Sequence, residues 1–587
     1  MAIAMVSFTD FVRDNALSNS AKTAFVFLRD LRSRQAESIT FGRLDEDAMR
    51  VAASLQRDLP AGATVLLLYP QGIEFVRAFV GCLYSGVIAV PAPLPDDGRP
   101  ARERLDRIVE DAGVSLVLTD TANRPRIAQW LKEQERTGIP CIATDRLTDV
   151  SPADWSAPAT TGGTTAFLQY TSGSTGEPKG VVVSHANLVA NARSIERSTG
   201  LRRESRVGGW LPLYHDMGLV GLVLQSLYQG MMCVLTSPVS FVKYPYQWLR
   251  VMADYGINAC TMPNFGYELC LRRITPEQAA TLDLSRWRVA INGAEPVQAE
   301  TLAAFAERFA AAGLRPEALM PCYGMAETTL LISSDRPDRR PVVRHVDARL
   351  LEQGVFRPVG PDADPARTVV GSGRPEGMTV RVVDPTTGKL LDEGAIGEIW
   401  VRGPAVGRGY WNRPELTERT FHAVIADDEA GEDGAGGFLR TGDLGTLHDG
   451  EVYVTGRLKD TLVIRGRNLY PQDVEREVGA AHLATVRATS AAFTVPTPDG
   501  EQIVVVCEVS RRGLGATTPT EVEAAVRTHI SREFGAGVAR VLLVRPGTVC
   551  RTSSGKIQRS LIRDRYLAGE LDDPRFHPHV QHERLSR

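Results

Sequence analysis

Residues 169-QYTSGSTGEPKGVVVSH-185 hold a dense run of small hydroxyl and glycine residues followed by a lysine. Thr171, Ser172, Gly173, Ser174, Thr175 and Gly176 can fold into a turn whose backbone N–H groups and hydroxyls surround phosphate oxygens. Glycine permits the backbone angles and the close approach that such a turn needs, and Lys179 adds positive charge. The run is not a Walker A loop: Gly180 follows the lysine where that motif needs Ser or Thr, and the spacing differs. Alone, it also suits a flexible surface turn. Its context decides between the two.

On its N-terminal side, 64-TVLLLYP-70 reads as a short buried strand and 73-IEFVRAFVGCLYSG-86 as a helix. Strand 87-VIAVPAPL-94, helix 102-RERLDRIVEDAG-113 and strand 114-VSLVLTD-120 continue the alternation. That order is the pattern of a layered α/β domain. After the run it resumes, with helices at 186–198, 246–256 and 298–313 and strands at 231–237, 287–293 and 318–324. Past about residue 370, strands separated by Gly, Pro and Asp dominate, as in 378-MTVRVVDPTTGKLLDEGAIGEIWVRG-403 and 450-GEVYVTGR-457. They predict a small β-rich subdomain. The acidic 426-ADDEAGEDGAGG-437 reads as a loop. A last α+β unit starts near Lys459, with strands at 461–466, 487–496, 502–510 and 540–546 and helices at 471–480 and 519–535.

At 587 residues the chain is too long for one ordinary core, and 43% apolar residues can fill several. A formal net charge of −3 gives no general pull towards nucleic acid or anionic membrane, and Arg29, Arg32 and Arg34 read as solvated surface. The eight cysteines include no CxxC pair and no Cys/His grouping with metal-site spacing, so free thiols in a reducing compartment are expected. The first residues carry Asp10 and Asp14 in place of a basic region followed by a long apolar one. The apolar runs 220-VGLVL-224 and 231-MMCVL-235 are too short to span a bilayer. A soluble cytoplasmic protein is expected, with peripheral membrane contact left open. The tail 573-DPRFHPHVQHERLSR-587 is expected to trail as surface chain, though its histidines can bind a metal.

TSGSTGEPKG resembles the phosphate-loop signature of the ANL superfamily, which comprises acyl- and aryl-CoA synthetases, peptide-synthetase adenylation domains and luciferases. The superfamily's other motifs follow in order, and the resemblance runs from about Phe8 to Leu567. It implies an α/β multidomain fold. A large N-terminal adenylate-forming domain (1–458) would hold two α/β subdomains and a distorted β-barrel subdomain. A small mobile α+β C-terminal domain (459–587) would turn about Lys459. ATP and Mg²⁺ are the implied cofactors.

The resemblance also implies roles. In 321-PCYGMAETT-329, Tyr323, Gly324 and Met325 would line the adenine, Glu327 would reach Mg²⁺, and Thr328 would contact the α-phosphate or acyl carbonyl. A carboxylate is the ligand Mg²⁺ prefers. In 292-NGAEPV-297, Gly293, Ala294 and Glu295 would flank the adenine; without the resemblance this reads as a strand-to-helix turn opened by Pro296. Asp443 in 440-RTGDLG-445 and Arg457 in 456-GRLKD-460 correspond to ribose contacts. Lys556 in 551-RTSSGKIQR-559 matches the superfamily's mobile catalytic lysine. Carboxylate attack on an α-phosphate brings two anions together, and an ammonium there offsets the repulsion.

Within the superfamily the chain looks most like the fatty acyl-AMP ligases, which load acids onto acyl carrier proteins. Three stretches carry that narrower resemblance. In 210-WLPLYHDMGLVG-221, His215 is followed by Asp216 where many CoA ligases have a second histidine, and His215 would order the acyl site. In 260-CTMPNFGYELC-270, Phe265, Gly266 and Tyr267 would lie near an acyl tunnel. The run 463-VIRGRNLYPQDVE-475 matches the subfamily's post-hinge motif, with Gln472 and Asp473 in place of the wider superfamily's pattern. Residues 333–368 form a polar, Pro-rich connection where these ligases carry an insertion thought to restrain the C-terminal domain and disfavour CoA turnover. The expected reaction is ATP-dependent conversion of a medium- or long-chain fatty acid to acyl-AMP, then transfer to a separate holo-acyl carrier protein or synthase loading module. A fatty acyl-CoA synthetase is the alternative. A non-catalytic nucleotide- or lipid-binding protein is a remote one, because Lys556, Glu327 and Asp443 are all present.

Overall fold

The computed structural model describes residues 6–95, 99–171, 177–426, 437–464, 467–486, 488–497, 500–515, 517–551 and 556–571, and the counts below refer to these. The centre of the phosphate-loop candidate (172–176), most of the acidic 426–437 stretch, residues 552–555 before Lys556 and the tail from 572 lie outside them.

One six-stranded sheet runs in the order Cys141–Ala143, Leu116–Thr119, Thr64–Leu68, Ile88–Ala92, Thr165–Thr171, Lys179–Ser184. Thr64–Leu68 and Leu116–Thr119 are buried along their whole length. That double-faced burial is why they read as unbroken apolar runs. Only the last pair of strands is antiparallel, and Thr171 faces Lys179 across it. The phosphate-loop candidate therefore connects two hydrogen-bonded strands.

A second sheet has nine strands, ordered Arg374–Pro375, Leu331–Ser334, Leu319–Gly324, Val289–Asn292, Ala259–Met262, Arg206–Gly209, Met232–Thr236, Thr23–Asp30, Gln35–Thr40. Its middle pairs in parallel and antiparallel strands close both ends. One large apolar core takes residues from both sheets and from helices Phe41–Asp58, Ile73–Ser85 and His185–Thr199. The two layers are thus held by a shared interior.

The β-rich part is a four-stranded antiparallel sheet of Thr379–Val383, Gly397–Arg402, Leu439–His448 and Glu451–Arg457. Its pairings run edge to edge in that order. Beyond it, Ser490–Thr497, Gly500–Glu508 and Val538–Val544 form a separate sheet. Ile503, Val505 and Cys507 face helices Pro471–Ala481 and Pro519–Phe534, while Val504 and Val506 share a second core with Ile562 of helix Arg559–Leu567. The alternation is the period-2 geometry of a strand covered on both faces.

One stretch differs from its sequence reading. Residues 333–368 are not an irregular connection: Val343–Asp347, Pro358–Val359 and Ala366–Val370 pair as a small antiparallel sheet beside helix Ala348–Glu352. These strands are mostly half-exposed and charged, so they lack the apolar pattern that announces a strand. Arg29 and Arg34 lie at the edge hairpin of the larger sheet, as expected of surface arginines, and pair there with Glu37 and Asp254. No helix among the described residues is long and apolar enough to cross a membrane.

Gly324 shows how tightly the site's framework is closed. A Cβ there would lie 1.8 Å from the Leu330 carbonyl oxygen, a backbone atom that cannot yield. Gly324→Ala is expected to destabilise the protein by about 2–3 kcal/mol or more, read by thermal denaturation. Gly138→Ala, where nothing lies within 4 Å of the added carbon, should stay within about 0.5 kcal/mol.

Candidate active site

Tyr323 sits at the end of the last parallel strand of the nine-stranded sheet, and its hydroxyl crosses to the four-stranded one. It donates to Asp443 Oδ2 at 2.8 Å. Asp443 and Arg457 are cross-strand neighbours, and Arg457 Nε donates to Asp443 Oδ1 at 2.9 Å. Asp443 is buried, so these donors stand in for water around its charge. Asp443 in turn raises the Arg457 guanidinium pKa against the opposing effect of burial. A carboxylate offers about four acceptor sites, so a pair of vicinal hydroxyls can still bond to Asp443.

The turn after Tyr323 presents Glu327. Its Oε1 accepts a hydrogen bond from the Tyr410 hydroxyl at 2.8 Å. Burial raises its carboxyl pKa, and the Tyr410 hydrogen bond works against that rise. Thr328 is fully buried, with its hydroxyl donating to the Met325 carbonyl at 2.9 Å, so that proton is committed to the turn. No cluster of three or more His, Cys, Asp or Glu among the described residues could hold a metal. Mg²⁺ is commonly bound by one or two carboxylates plus substrate phosphates, and a lone buried Glu327 suits that mode.

Gly293, Ala294 and Glu295 follow strand Val289–Asn292, with Ala294 at φ 69°. Glu295 Oε1 accepts the Phe265 N–H at 2.6 Å, tying this turn to helix Asn264–Arg273. Burial raises the Glu295 carboxyl pKa, and that N–H opposes it. The Phe265 ring meets Trp210 edge-on at 5.7 Å, and Trp210 stacks on Phe241 at 4.0 Å. A Cβ on Gly266 would come within 3.1 Å of Trp210, so the glycine lets the helix approach this aromatic wall. Tyr267 differs from Phe265: it is fully buried, donates to the Ile291 carbonyl at 3.0 Å and packs on Phe305. It is a core residue.

His215 precedes the short turn Asp216–Gly218. Burial lowers its pKa to about 3, with Arg104 and Lys556 adding repulsion, so the ring is neutral near pH 7. Burial raises the neighbouring Asp216 pKa, and Lys556 opposes that shift. Lys556 is an exposed residue, yet desolvation of its ammonium by the protein around it lowers the pKa. Arg457 adds to that lowering, while Asp216, Asp443 and Glu295 counter it. The lysine therefore shares with Tyr323 the field of Asp443 and Arg457. Lys459 has its pKa lowered by burial and by Arg457, with a further contribution from Lys179. Lys179 lies over the Tyr410 ring at 5.3 Å. Of the phosphate-loop residues only Thr171 and Lys179 are described; 172–176 fall outside.

Sequence reading passed over Tyr410, whose partner is far away in the chain, and Arg104, half-buried with an Nε that has no hydrogen-bond partner among the described residues. Neither carries a local signal beyond its residue type.

A family model described as AMP-binding enzyme matches residues 12–411. The chain belongs to the AMP-binding enzyme family. This ligase is similar over its length to the medium-chain-fatty-acid (acyl-carrier-protein) ligase JamA of Moorena producens, with 41% identity over 570 residues, 96% of this chain and 95% of that protein. The long-chain-fatty-acid–AMP ligase FadD26 of Mycobacterium marinum is 35% identical over 95% of this chain and 97% of its own. Among solved structures, a fatty acyl-adenylate ligase from L. pneumophila in complex with acyl adenylate and pyrophosphate aligns with a TM-score of 0.73 and 34% identity, covering 96% of each chain. The ligase therefore shares the large α/β core and smaller C-terminal α+β unit of adenylate-forming enzymes.

Lys556→Ala is expected to lower acyl-AMP formation by about a hundredfold or more. ATP affinity, measured by equilibrium binding, should change far less. Adenylation close to wild type in this variant would remove Lys556 from the chemistry.

Proposed function

We propose that this adenylating ligase activates a medium- or long-chain fatty acid as acyl-AMP and delivers it to the phosphopantetheine thiol of a separate holo-acyl carrier protein or synthase loading module. The observation that carries the reading is the Tyr323–Asp443–Arg457 hydrogen-bonded contact between two sheets, with Lys556 in the electrostatic field of Asp443 and Arg457. An apolar wall of Trp210, Phe241 and Phe265 next to Glu295 suits an aliphatic chain.

In the first half-reaction a carboxylate oxygen of the acid attacks the α-phosphorus of ATP. The bond to the bridging oxygen breaks, and pyrophosphate leaves. Tyr323 packs against the adenine, Asp443 accepts the ribose hydroxyls with Arg457 held beside it, and the 171–179 run cradles phosphate. Lys556 offsets the repulsion between the two anions and the charge that builds on the phosphoryl oxygens. Glu327 would hold Mg²⁺, which when bound neutralises phosphate charge. His215, being neutral, can order the acyl end without adding charge. In the second half-reaction the thiol loses its proton, its sulfur bonds to the acyl carbon, and AMP departs as the C–O bond breaks.

The choice of acceptor rests on residues 333–368 and on the acceptor in JamA's name. Arg367 pairs with Asp473 at 2.7 Å and lies 4.8 Å over the Tyr470 ring. Arg467 pairs with Glu352 at 3.1 Å, and Tyr470 shares a small apolar core with Val346, Leu351 and Phe356. The inserted sheet thus grips the segment just past Lys459, the proposed pivot. Any rotation there must break buried contacts, which penalises turnover with a diffusible thiol more than with a docked carrier.

Mass spectrometry of products from Mg-ATP, a fatty-acid series and either CoA or a holo-carrier tests the reading. Accumulating acyl-AMP and acyl-carrier is expected; dominant acyl-CoA would make the protein a CoA synthetase. Replacing both Arg367 and Glu352 with Ala should raise CoA turnover by about fivefold or more. A folded, adenylating double variant without that gain contradicts the restraint. The shared core makes these substitutions a cleaner test than deleting the sheet.

A further inference from the structure

We infer that Tyr410 is a positioning residue for the metal–nucleotide site, setting the Glu327 carboxylate and tying it to the strand that leaves the phosphate loop. The inference rests on the reading of Glu327 as the carboxylate that faces Mg²⁺.

Residues 407–411 hydrogen-bond along strand Lys179–Ser184. Arg408 N donates to the Val182 carbonyl at 2.9 Å, Val182 N to Gly409 at 2.9 Å, and Trp411 N to Gly180 at 2.7 Å. The same stretch holds the Glu327 turn, because Gly407 N donates to the Glu327 carbonyl at 2.8 Å. One short segment therefore fixes both the exit of the phosphate loop and the backbone of Glu327. The Tyr410 side chain repeats this connection: its hydroxyl reaches Glu327 Oε1 at 2.8 Å, and Lys179 Nζ stands 5.3 Å over its ring.

The ring is well placed for this. Tyr410 N donates to Thr417 Oγ1 at 2.9 Å, and Phe421 meets the ring edge-on at 5.1 Å. Among the described residues, Tyr410 provides the one side-chain hydrogen bond to the Glu327 carboxylate. That bond engages one oxygen and fixes the rotamer, leaving the other oxygen to a ligand. Partners that orient a metal-binding carboxylate commonly affect metal affinity almost as strongly as the ligands do. A tyrosine kept for packing alone needs a hydroxyl partner too, but it has no reason to choose the carboxylate beside the phosphate-binding run.

The test follows Mn²⁺ by electron paramagnetic resonance as it is titrated into the full-length protein with a non-hydrolysable ATP analogue. Wild type, Tyr410→Phe and Glu327→Gln are compared. Phe keeps the ring and its contact with Phe421, so only the hydroxyl is lost. Tyr410→Phe should weaken Mn²⁺ binding by about tenfold, with metal-free nucleotide affinity and the KM for fatty acid unchanged. The Mg²⁺ concentration for half-maximal adenylation should rise by the same factor, and excess Mg²⁺ should restore the rate. Weakened Mn²⁺ binding in Glu327→Gln beside a wild-type titration in Tyr410→Phe overturns the role of Tyr410. Wild-type Mn²⁺ binding in Glu327→Gln overturns the metal reading and the inference with it.

Discussion

A charge buried away from water must be solvated by the protein, and at Asp443 that requirement joins the parts of this enzyme. Its oxygens accept hydrogen bonds from Tyr323 on one sheet and from Arg457 on another. Arg457 keeps part of its side chain in solvent, which screens its pair with Asp443, while Tyr323 donates from a buried position. The nine-stranded sheet and the four-stranded sheet are therefore locked at the point where a nucleotide would sit. Arg457 also ends the last strand before the chain passes to the C-terminal unit, so the same contact sets where that unit begins its path.

The cleft around this contact gathers carboxylates whose pKa values burial raises, Asp216, Glu295 and Glu327 among them. Lys556 enters their field from the C-terminal unit. The geometry is suited to phosphoryl chemistry, in which much of the catalytic contribution is placed charge. It also imposes a conflict. We propose that Lys556 occupies during adenylation the place where a thiol must later arrive, so that the C-terminal unit moves between steps. The Arg367–Asp473 and Arg467–Glu352 pairs oppose that movement, and we propose that they bias the enzyme towards a tethered acceptor.

Much of the fold was legible because buried parallel strands are written as unbroken apolar runs, as in 64-TVLLLYP-70 and 114-VSLVLTD-120. The small sheet of 343–370 was not, since its strands are short, mostly half-exposed and interrupted by Arg344, Asp347 and Arg367, the last paired with distant Asp473. The Tyr323–Asp443–Arg457 contact was anticipated as a set of residues through resemblance, but the Tyr323–Asp443 hydrogen bond spans 120 residues of chain and has no local signature. Tyr267 could not be told from Phe265 by sequence. Both are aromatic positions of one helix, and only the packing sends one to the core and the other towards Trp210. Tyr410 was missed for the same reason, its partner Glu327 lying 83 positions earlier.

The central claim is that adenylation takes place where Tyr323, Asp443 and Lys556 meet. A crystal structure with a non-hydrolysable acyl-adenylate analogue tests it most directly. The account predicts the adenine against Tyr323, both ribose hydroxyls on Asp443, the acyl chain along Trp210 and Phe265, and Lys556 at the phosphate mimic. An analogue bound elsewhere, or seated there with Lys556 remote and the C-terminal unit unchanged, would contradict it.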